Sequence, residues 1–205
     1  MREYGKPGDT RCADRDTEES TVYNGAKAEK QRIRQEIRMI SKGLSPEYRR
    51  EASREIARKV LSLPSWKTAK SVMAFRSMPE EPDTQALLEA ALLEGKTLLL
   101  PRCLDSERMA ALPVKDLKEL QPGRMGILEP PMPEEGTAVP EPDLVLVPCM
   151  AASPNGIRLG HGAGYYDRYL AEHPAQTVCL CFRAMLKGDL PAEDTDIPVD
   201  FVISD

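Results

Sequence analysis

An α/β fold with a mostly parallel open sheet is predicted by three observations along the 205-residue chain. Short apolar runs recur at Ser71–Phe75, Lys96–Pro101, Asp143–Pro148 and Thr177–Phe182, and runs of this length read as buried strands. The first two flank a helical pattern, so strand, loop, helix and strand form a βαβ unit with parallel strands and a right-handed crossover. Two further helical patterns precede the first strand. Together these predict a three-layer, Rossmann-like α/β domain with helices on both faces of the sheet and an N-terminal helical pair.

Residues 1–25 alternate charges with Gly, Pro, Ser and Thr and lack apolar periodicity. The expectation is a disordered N-terminal extension, with residues 26–205 forming a single domain. No apolar h-region follows the first charges, so no secretory signal is expected. From Ala26 to Lys42 the pattern is helical: Ile33, Ile37, Ile40 and Leu44 repeat at three- and four-residue steps, and Gly43 is a stop. Lys30 and Arg34 lie one turn apart on the border of that stripe. On spacing alone the pair reads as a solvated basic face. Ser45-Pro46 opens a second helix, with serine as cap and proline at the first helical position. Ala52, Ile56 and Val60 form its buried side, and Leu63-Pro64 ends it.

The strand at Ser71–Phe75 leads into a loop, Arg76 to Thr84, that carries Glu80 and Glu81. Paired acids there read as solvated by themselves, although ligands of open α/β sheets sit outside the carboxyl ends of strands. The next helix is capped by Asp83 or Thr84, packs through Leu88, Ala91 and Leu92, and ends at Gly95. Residues 104–142 hold a strand at Met109–Leu112, a short helix at Val114–Leu120 and a connector stiffened by prolines from Pro122 to Pro142. The connector reads as a surface flap beside the site. The chain closes with a strand in the last residues of Asp196–Ile203.

The stretch Arg158-Leu-Gly-His-Gly-Ala-Gly-Tyr-Tyr-Asp167 stands apart. Gly160, Gly162 and Gly164 alternate, leaving no side chains to hold off a ligand, and glycine reaches φ > 0 cheaply, so consecutive N–H groups can converge on an anion. A strand precedes the stretch and a helical pattern starts at Tyr165, which is where phosphates bind in α/β proteins. Arg158 offers positive charge and Asp167 a hard oxygen ligand. A triphosphate with its magnesium ion needs both.

Net charge is −5, so no global basic field points to nucleic acid or to a membrane surface. Five cysteines in no metal-ligand spacing read as reduced thiols of a cytoplasmic protein, with Cys179 and Cys181 in the core. Only two histidines, His161 and His173, argue against a histidine-rich zinc site. No apolar run is long enough to span a bilayer. The partners expected are therefore small molecules, and the chain a monomer or weak homodimer.

The ten-residue glycine-rich string resembles the signature of the 5-formyltetrahydrofolate cyclo-ligase (5,10-methenyltetrahydrofolate synthetase) family, R-L-G-x-G-x-G-Y-Y-D. Three other segments match in order: Lys30-x-x-Ile33-Arg34 resembles the family's K-x-x-L-R, the Glu81 loop its S-x-x-x-E-x-x-T, and Gly126-Ile-Leu-Glu-Pro130 its G-I-x-E-P. The resemblance covers roughly residues 28 to 205. It implies closure of 5-formyltetrahydrofolate to the 5,10-methenyl form, with ATP as co-substrate and Mg2+. Implied for ATP are Lys30, Arg34 and Arg158, the backbone of Gly160, His161, Gly162, Ala163 and Gly164, and Tyr165 and Tyr166. Implied for the folate substrate are Arg76, Met78 and Glu81, together with His161, Gly162, Gly164 and Tyr165. Lys30, Arg158, Tyr166 and Asp167 are implied as catalytic, and Asp167 with Asp196 as metal ligands.

The chain departs from the family pattern at several points. Pro148-Cys-Met-Ala-Ala-Ser153 stands where the family writes P-G-x-A-F-D, Arg183-Ala-Met185 where it has E-x-Q, and Thr195 where a histidine is common. Arg76 takes the place of an apolar substrate contact. Two other functions stay open on these residues: a nucleotide-binding regulatory protein on the same scaffold without turnover, and an ATP-dependent enzyme acting on another N-formyl or amide substrate.

Overall fold

The structure, a computed structural model, describes residues 13–134 and 136–205. Helix α1 (Ala13–Gly43) turns Ile33 and Ile37 into the core, with Ile40 and Leu44 packed at its edge. It starts well before Ala26, so residues 13–25, expected in a disordered extension, continue the helix. Apolar periodicity reports which face of a helix packs, and a helix already nucleated over residues 26–43 can propagate into adjoining polar residues that have no packed face. Residues 1–12 lie outside the described residues. Helix α2 (Pro46–Ser62) is capped as expected: Ser45 Oγ accepts from the Tyr48 N–H at 3.1 Å, and Ala52, Ile56 and Val60 are buried. Pro64 then opens a short helix that the sequence pattern does not announce, α3 (Pro64–Thr68), which drives Trp66 into the core. Five residues are too few to show a period.

The expected βαβ unit follows as β1 (Ser71–Met73), α4 (Gln85–Leu93) and β2 (Thr97–Cys103), with β1 and β2 parallel. Asp83 and Thr84 divide the work at the start of α4. Asp83 Oδ1 accepts from the Gln85 N–H at 2.9 Å, while Thr84 Oγ1 donates to the Phe75 carbonyl at 2.6 Å and pins the helix to the end of β1. Strand β3 (Met109–Val114) pairs antiparallel with β2. The helix expected over Val114–Leu120 shrinks to one 3-10 turn at Leu117–Glu119, because Val114 is taken by the strand, opposite Leu98. The proline-rich connector is partly ordered by a small hairpin of β4 (Gln121–Pro122) and β5 (Leu128–Glu129).

Next come β6 (Leu144–Pro148), a hairpin of β7 (Ala151–Ala152) and β8 (Arg158–Leu159), α5 (Tyr165–Glu172), β9 (Gln176–Leu180) and β10 (Phe201–Ile203). The main sheet runs β10-β9-β6-β1-β2-β3, all neighbours parallel except β2 and β3. From β1 the chain steps through α4 to β2 on one side. From β6 it steps through α5 to β9 on the other. Right-handed crossovers in opposite directions place α4 and α5 on opposite faces, giving the three layers. The core is formed by β-strand residues such as Val72, Met73, Leu99, Leu146 and Val147, with Cys179 and Cys181 buried among them as expected. Because β1 and β6 are neighbours whose connections diverge, a crevice opens beyond their carboxyl ends. Among the described residues no helix is long and apolar enough to cross a membrane.

Ile37, only 1% exposed, couples α1 to this core. Ile37→Ala is expected to destabilise the fold by about 2–5 kcal/mol, seen as a lowered urea midpoint. A midpoint within error of wild type would mean that α1 is not part of the cooperative unit.

Candidate active site

Two loops reach the crevice, one after β1 and one after β6. The second is built on the β7–β8 hairpin, whose turn is closed by Ser153: its N–H donates to the Ile157 carbonyl at 2.8 Å and its Oγ to the same oxygen at 3.1 Å. Gly156 in this turn has φ +89°, and a Cβ there would lie 2.4 Å from the Val199 carbonyl oxygen, so the segment leading to β10 can pack flush against it. Ala152, Ser153 and Met185, three of the departures from the family pattern, are all buried. They fill the interior beneath the site, whereas Thr195 is exposed.

The chain then rises through β8 into the turn Gly160–Gly164. Gly162 adopts φ +105° and Gly164 φ +69°, conformations that L side chains rarely take. His161, Gly162 and Ala163 are exposed, so the turn is open rather than packed over. Its one close neighbour from α1 is Arg34, whose Nε donates to the Gly160 carbonyl at 2.8 Å and whose Cζ lies 3.4 Å from where a Gly162 Cβ would be. Burial, and then the Arg38 cation, lower the Arg34 pKa from its ordinary value, although the group stays charged. An anion at the turn would relieve that strain.

Lys30, one helical turn away, is buried. Its Nζ lies 2.5 Å from Glu193 Oε2 and 2.6 Å from Asp196 Oδ2. Burial works to lower its pKa, but the hydrogen bonds and charges of Asp196 and Glu193 outweigh it and leave it raised. Arg158 is equally committed. Its Nη2 donates to Asp167 Oδ1 at 2.8 Å and its Nη1 to the Ile197 carbonyl, while the Ile197 N–H donates back to Asp167 Oδ1 at 3.1 Å. The two acids expected to hold a metal are thus drawn to one corner, each already in an ion pair. Among the described residues no group of three or more His, Cys, Asp or Glu side chains is arranged to hold a metal ion. Asp167 Oδ2 and Asp196 Oδ1 keep no hydrogen-bond partner among the described residues.

On the other side of the turn stands Glu81, buried, with Oε2 accepting from the Met78 N–H at 2.8 Å and Oε1 3.5 Å from His161 Nε2. The Tyr166 hydroxyl is buried without a hydrogen-bond partner among the described residues. Burial first, and then the Glu81 charge, raise its pKa, so it remains a protonated donor. Tyr165 points away: its hydroxyl donates to the Asp105 carbonyl at 2.7 Å, tying α5 to the β2–β3 turn. Arg76 lies half-buried at the rim, where its Nη1 donates to Gln85 Oε1. With Met78 and Glu81 it lines a cleft of about 300 Å³.

The structure therefore gathers Lys30, Arg34, Gly160–Gly164, Arg158, Asp167 and Asp196 on one side, and Met78, Glu81 and Tyr166 on the other, with His161 between. Arg76 is set apart at the edge. Sequence reasoning missed Glu193, which nothing in its acidic neighbourhood singles out. It also missed Arg168, which donates from Nη2 to the Ala163 carbonyl at 2.6 Å and from Nε to the Glu107 carbonyl at 2.7 Å.

The profile of the 5-formyltetrahydrofolate cyclo-ligase family matches residues 26–205. The chain belongs to this family. A 5-formyltetrahydrofolate cyclo-ligase of Escherichia coli K12 is 30% identical over 174 residues, covering 82% of this chain and 96% of that one. The mouse 5-formyltetrahydrofolate cyclo-ligase is 28% identical over 192 residues, covering 85% and 92%. Among solved structures, the 5,10-methenyltetrahydrofolate synthetase of Aquifex aeolicus superposes with a TM-score of 0.74 at 32% identity, over 85% of this chain and 88% of that one. A 5,10-methenyltetrahydrofolate synthetase from Mycoplasma pneumoniae, 19% identical with a TM-score of 0.66 and covering 85% and 98%, shares the fold.

The Lys30 ion pairs give this cyclo-ligase a testable latch. A raised lysine pKa contributes stability that is fully present below the unfolded value and fades only as pH climbs through the folded one, so the latch holds at neutral pH. Lys30→Met leaves Glu193 and Asp196 facing each other without a cation. Amide hydrogen exchange over residues 193–197 is expected to speed up, and unchanged protection would show that the latch is not what orders this segment.

Proposed function

We propose that this chain catalyses the ATP-dependent cyclisation of 5-formyltetrahydrofolate to 5,10-methenyltetrahydrofolate, releasing ADP and phosphate. The observation that carries the reading is the position of the open glycine turn, with the Arg34 guanidinium against one side and Glu81, through His161, against the other. Family membership favours this activity over a non-catalytic nucleotide-binding protein on the same scaffold. The chain would act as a cytoplasmic monomer or weak homodimer.

The chemistry asks for positioning and charge compensation rather than a protein nucleophile. The ring nitrogen donates into the formyl group, which makes its carbon a poor electrophile and its oxygen nucleophilic. That oxygen attacks the γ-phosphorus, an O–P bond forms, and the bond to ADP breaks. The formyl carbon, now carrying a phosphate leaving group, is attacked by N10 of the same folate; the C–O bond breaks, phosphate leaves and N10 loses its proton. Arg34 and the N–H groups of Gly160–Gly164 hold the triphosphate, while Lys30, buried between Glu193 and Asp196, fixes those acids beside it. His161 and Ala163 shape the turn's outer edge, and Tyr165 anchors the helix that follows it through the Asp105 carbonyl. Glu81 accepts the proton, with Met78 and Arg76 beside the folate and the Tyr166 hydroxyl donating to it. Arg158 acts by fixing Asp167.

Mg2+ fits the donor set as a nucleotide-borne ion, since Asp167 and Asp196 each offer one oxygen without a protein partner and magnesium takes few protein ligands when phosphates supply the others. There it would neutralise phosphate charge.

Arg34→Ala and Asp167→Asn, the latter keeping an oxygen for Arg158 and the Ile197 N–H, are each expected to lower turnover roughly 10²–10³-fold, as losing one preorganised charged contact does. The assay is growth of the methenyl product's near-ultraviolet absorbance on adding 5-formyltetrahydrofolate and Mg-ATP. Rates near wild type in both variants would overturn the assignments. Arg158→Ala and Asp167→Ala are poorer probes, because each leaves its partner in this pair without a counter-charge, which costs about 3–5 kcal/mol of stability by itself.

A further inference from the structure

A second cleft, about 400 Å³, opens between α4 and the segment that follows β3. Its lining is amphipathic in a particular way. Leu92, Leu117, Leu120 and Leu128 supply an apolar floor, while Arg76, Lys115 and Lys118 supply cations. None of these three cations has a carboxylate within ion-pair distance among the described residues. Two acids share the cleft, and both are engaged. Asp116 caps the 3-10 turn by accepting from the Lys118 N–H at 2.9 Å, and Glu89 Oε1 accepts from Gln85 Nε2 at 2.5 Å. Gln85 in turn accepts from Arg76, so a relay from Glu89 through Gln85 holds the Arg76 guanidinium in place.

Arg76 also lines the cleft that contains Met78 and Glu81, so the two clefts meet at this one side chain. Three cations without acid partners, over a leucine floor, suit a ligand that presents a flat apolar ring followed by carboxylates. The substrate of the proposed reaction has that shape beyond its pterin: a p-aminobenzoyl ring, then glutamate. We infer that the Arg76–Lys115–Lys118 cleft binds the p-aminobenzoyl-glutamyl end of the folate, the ring on the leucines and the carboxylates of one or more γ-linked glutamates on the lysines. The inference rests on the cyclo-ligase reading for its ligand. It also accounts for Arg76, since this chain places a cation at the junction of ring and tail where an apolar contact is usual.

Two measurements test it. In the first, p-aminobenzoyl-triglutamate is titrated into the isotope-labelled wild-type chain and into Lys115→Glu/Lys118→Glu. Methyl shifts at Leu92, Leu117 and Leu120 are expected, with affinity at least about tenfold weaker in the variant, the effect of losing one charge-assisted contact. Shifts confined to the Met78 and Glu81 cleft, or equal affinity in the two proteins, would overturn the inference. In the second, KM is compared for mono- and triglutamyl 5-formyltetrahydrofolate with Mg-ATP. The wild type is expected to favour the triglutamyl form and the variant to lose that preference while kcat is retained; an unchanged preference refutes the cleft. Should the probe bind here in a variant-sensitive way while neither folate is turned over, the cleft stands and the proposed reaction falls.

Discussion

The bidentate use of Arg158 is the constraint on which the rest of the site depends. One guanidinium joins Asp167 at the start of α5 to the Ile197 carbonyl near the end of the chain, and the Ile197 N–H returns to the same carboxylate. Residues 196 and 193 then reach Lys30 on α1, and Arg34 on α1 reaches back to Gly160, two residues after Arg158. These contacts close a ring around the glycine turn through three segments that are far apart in sequence. The turn can therefore be both open to solvent and fixed in shape, as a preorganised anion site must be. A glycine turn held only by its own backbone would give up that precision.

Much of the fold is legible in the sequence because its strands are short apolar runs with punctuation at both ends, and because the βαβ order leaves few topologies. What stays hidden is of two kinds. Local ambiguity hides the length of α1, the existence of α3 and the loss of a helix over Val114–Leu120 to β3; in each case a pairing or packing partner elsewhere decides what the local pattern leaves open. In the site, residue types are legible but partners are not. Arg158 and Asp167 suggest by type alone a phosphate contact and a metal ligand, each acting separately, yet the fold brings them within 2.8 Å of each other. Glu193 is invisible in the sequence, since one acid in an acidic stretch gains its meaning only from the lysine it meets across the fold.

The departures from the family pattern divide in the same physical terms. Ala152 and Ser153 replace a larger and a charged group, and Met185 a polar amide, at positions that are sealed from solvent here, and Ser153 satisfies its hydroxyl by closing the hairpin turn. They alter what lies under the site, with no exposed surface to offer a ligand. Arg76 is different, because it changes the chemistry of a rim that faces solvent. A sequence comparison ranks these substitutions alike; burial separates them.

Charge balance narrows what the glycine turn can receive. Lys30, Arg34 and Arg158 face Glu193, Asp196 and Asp167, so three cations are matched by three carboxylates in one small volume, with Arg38 and Arg168 nearby on the positive side and Glu81 on the negative. A bare polyphosphate would find Lys30 and Arg158 already committed, and its repulsion from the three acids would offset much of the attraction from Arg34 and Arg168. A nucleotide that carries a divalent cation meets a different field. On the proposed function its metal would suit the free oxygens of Asp167 and Asp196, and its phosphates Arg34 and the N–H groups of the turn. On the function proposed above, the acids that look like an obstacle to phosphate binding would act as a filter for the magnesium-bound form of the nucleotide.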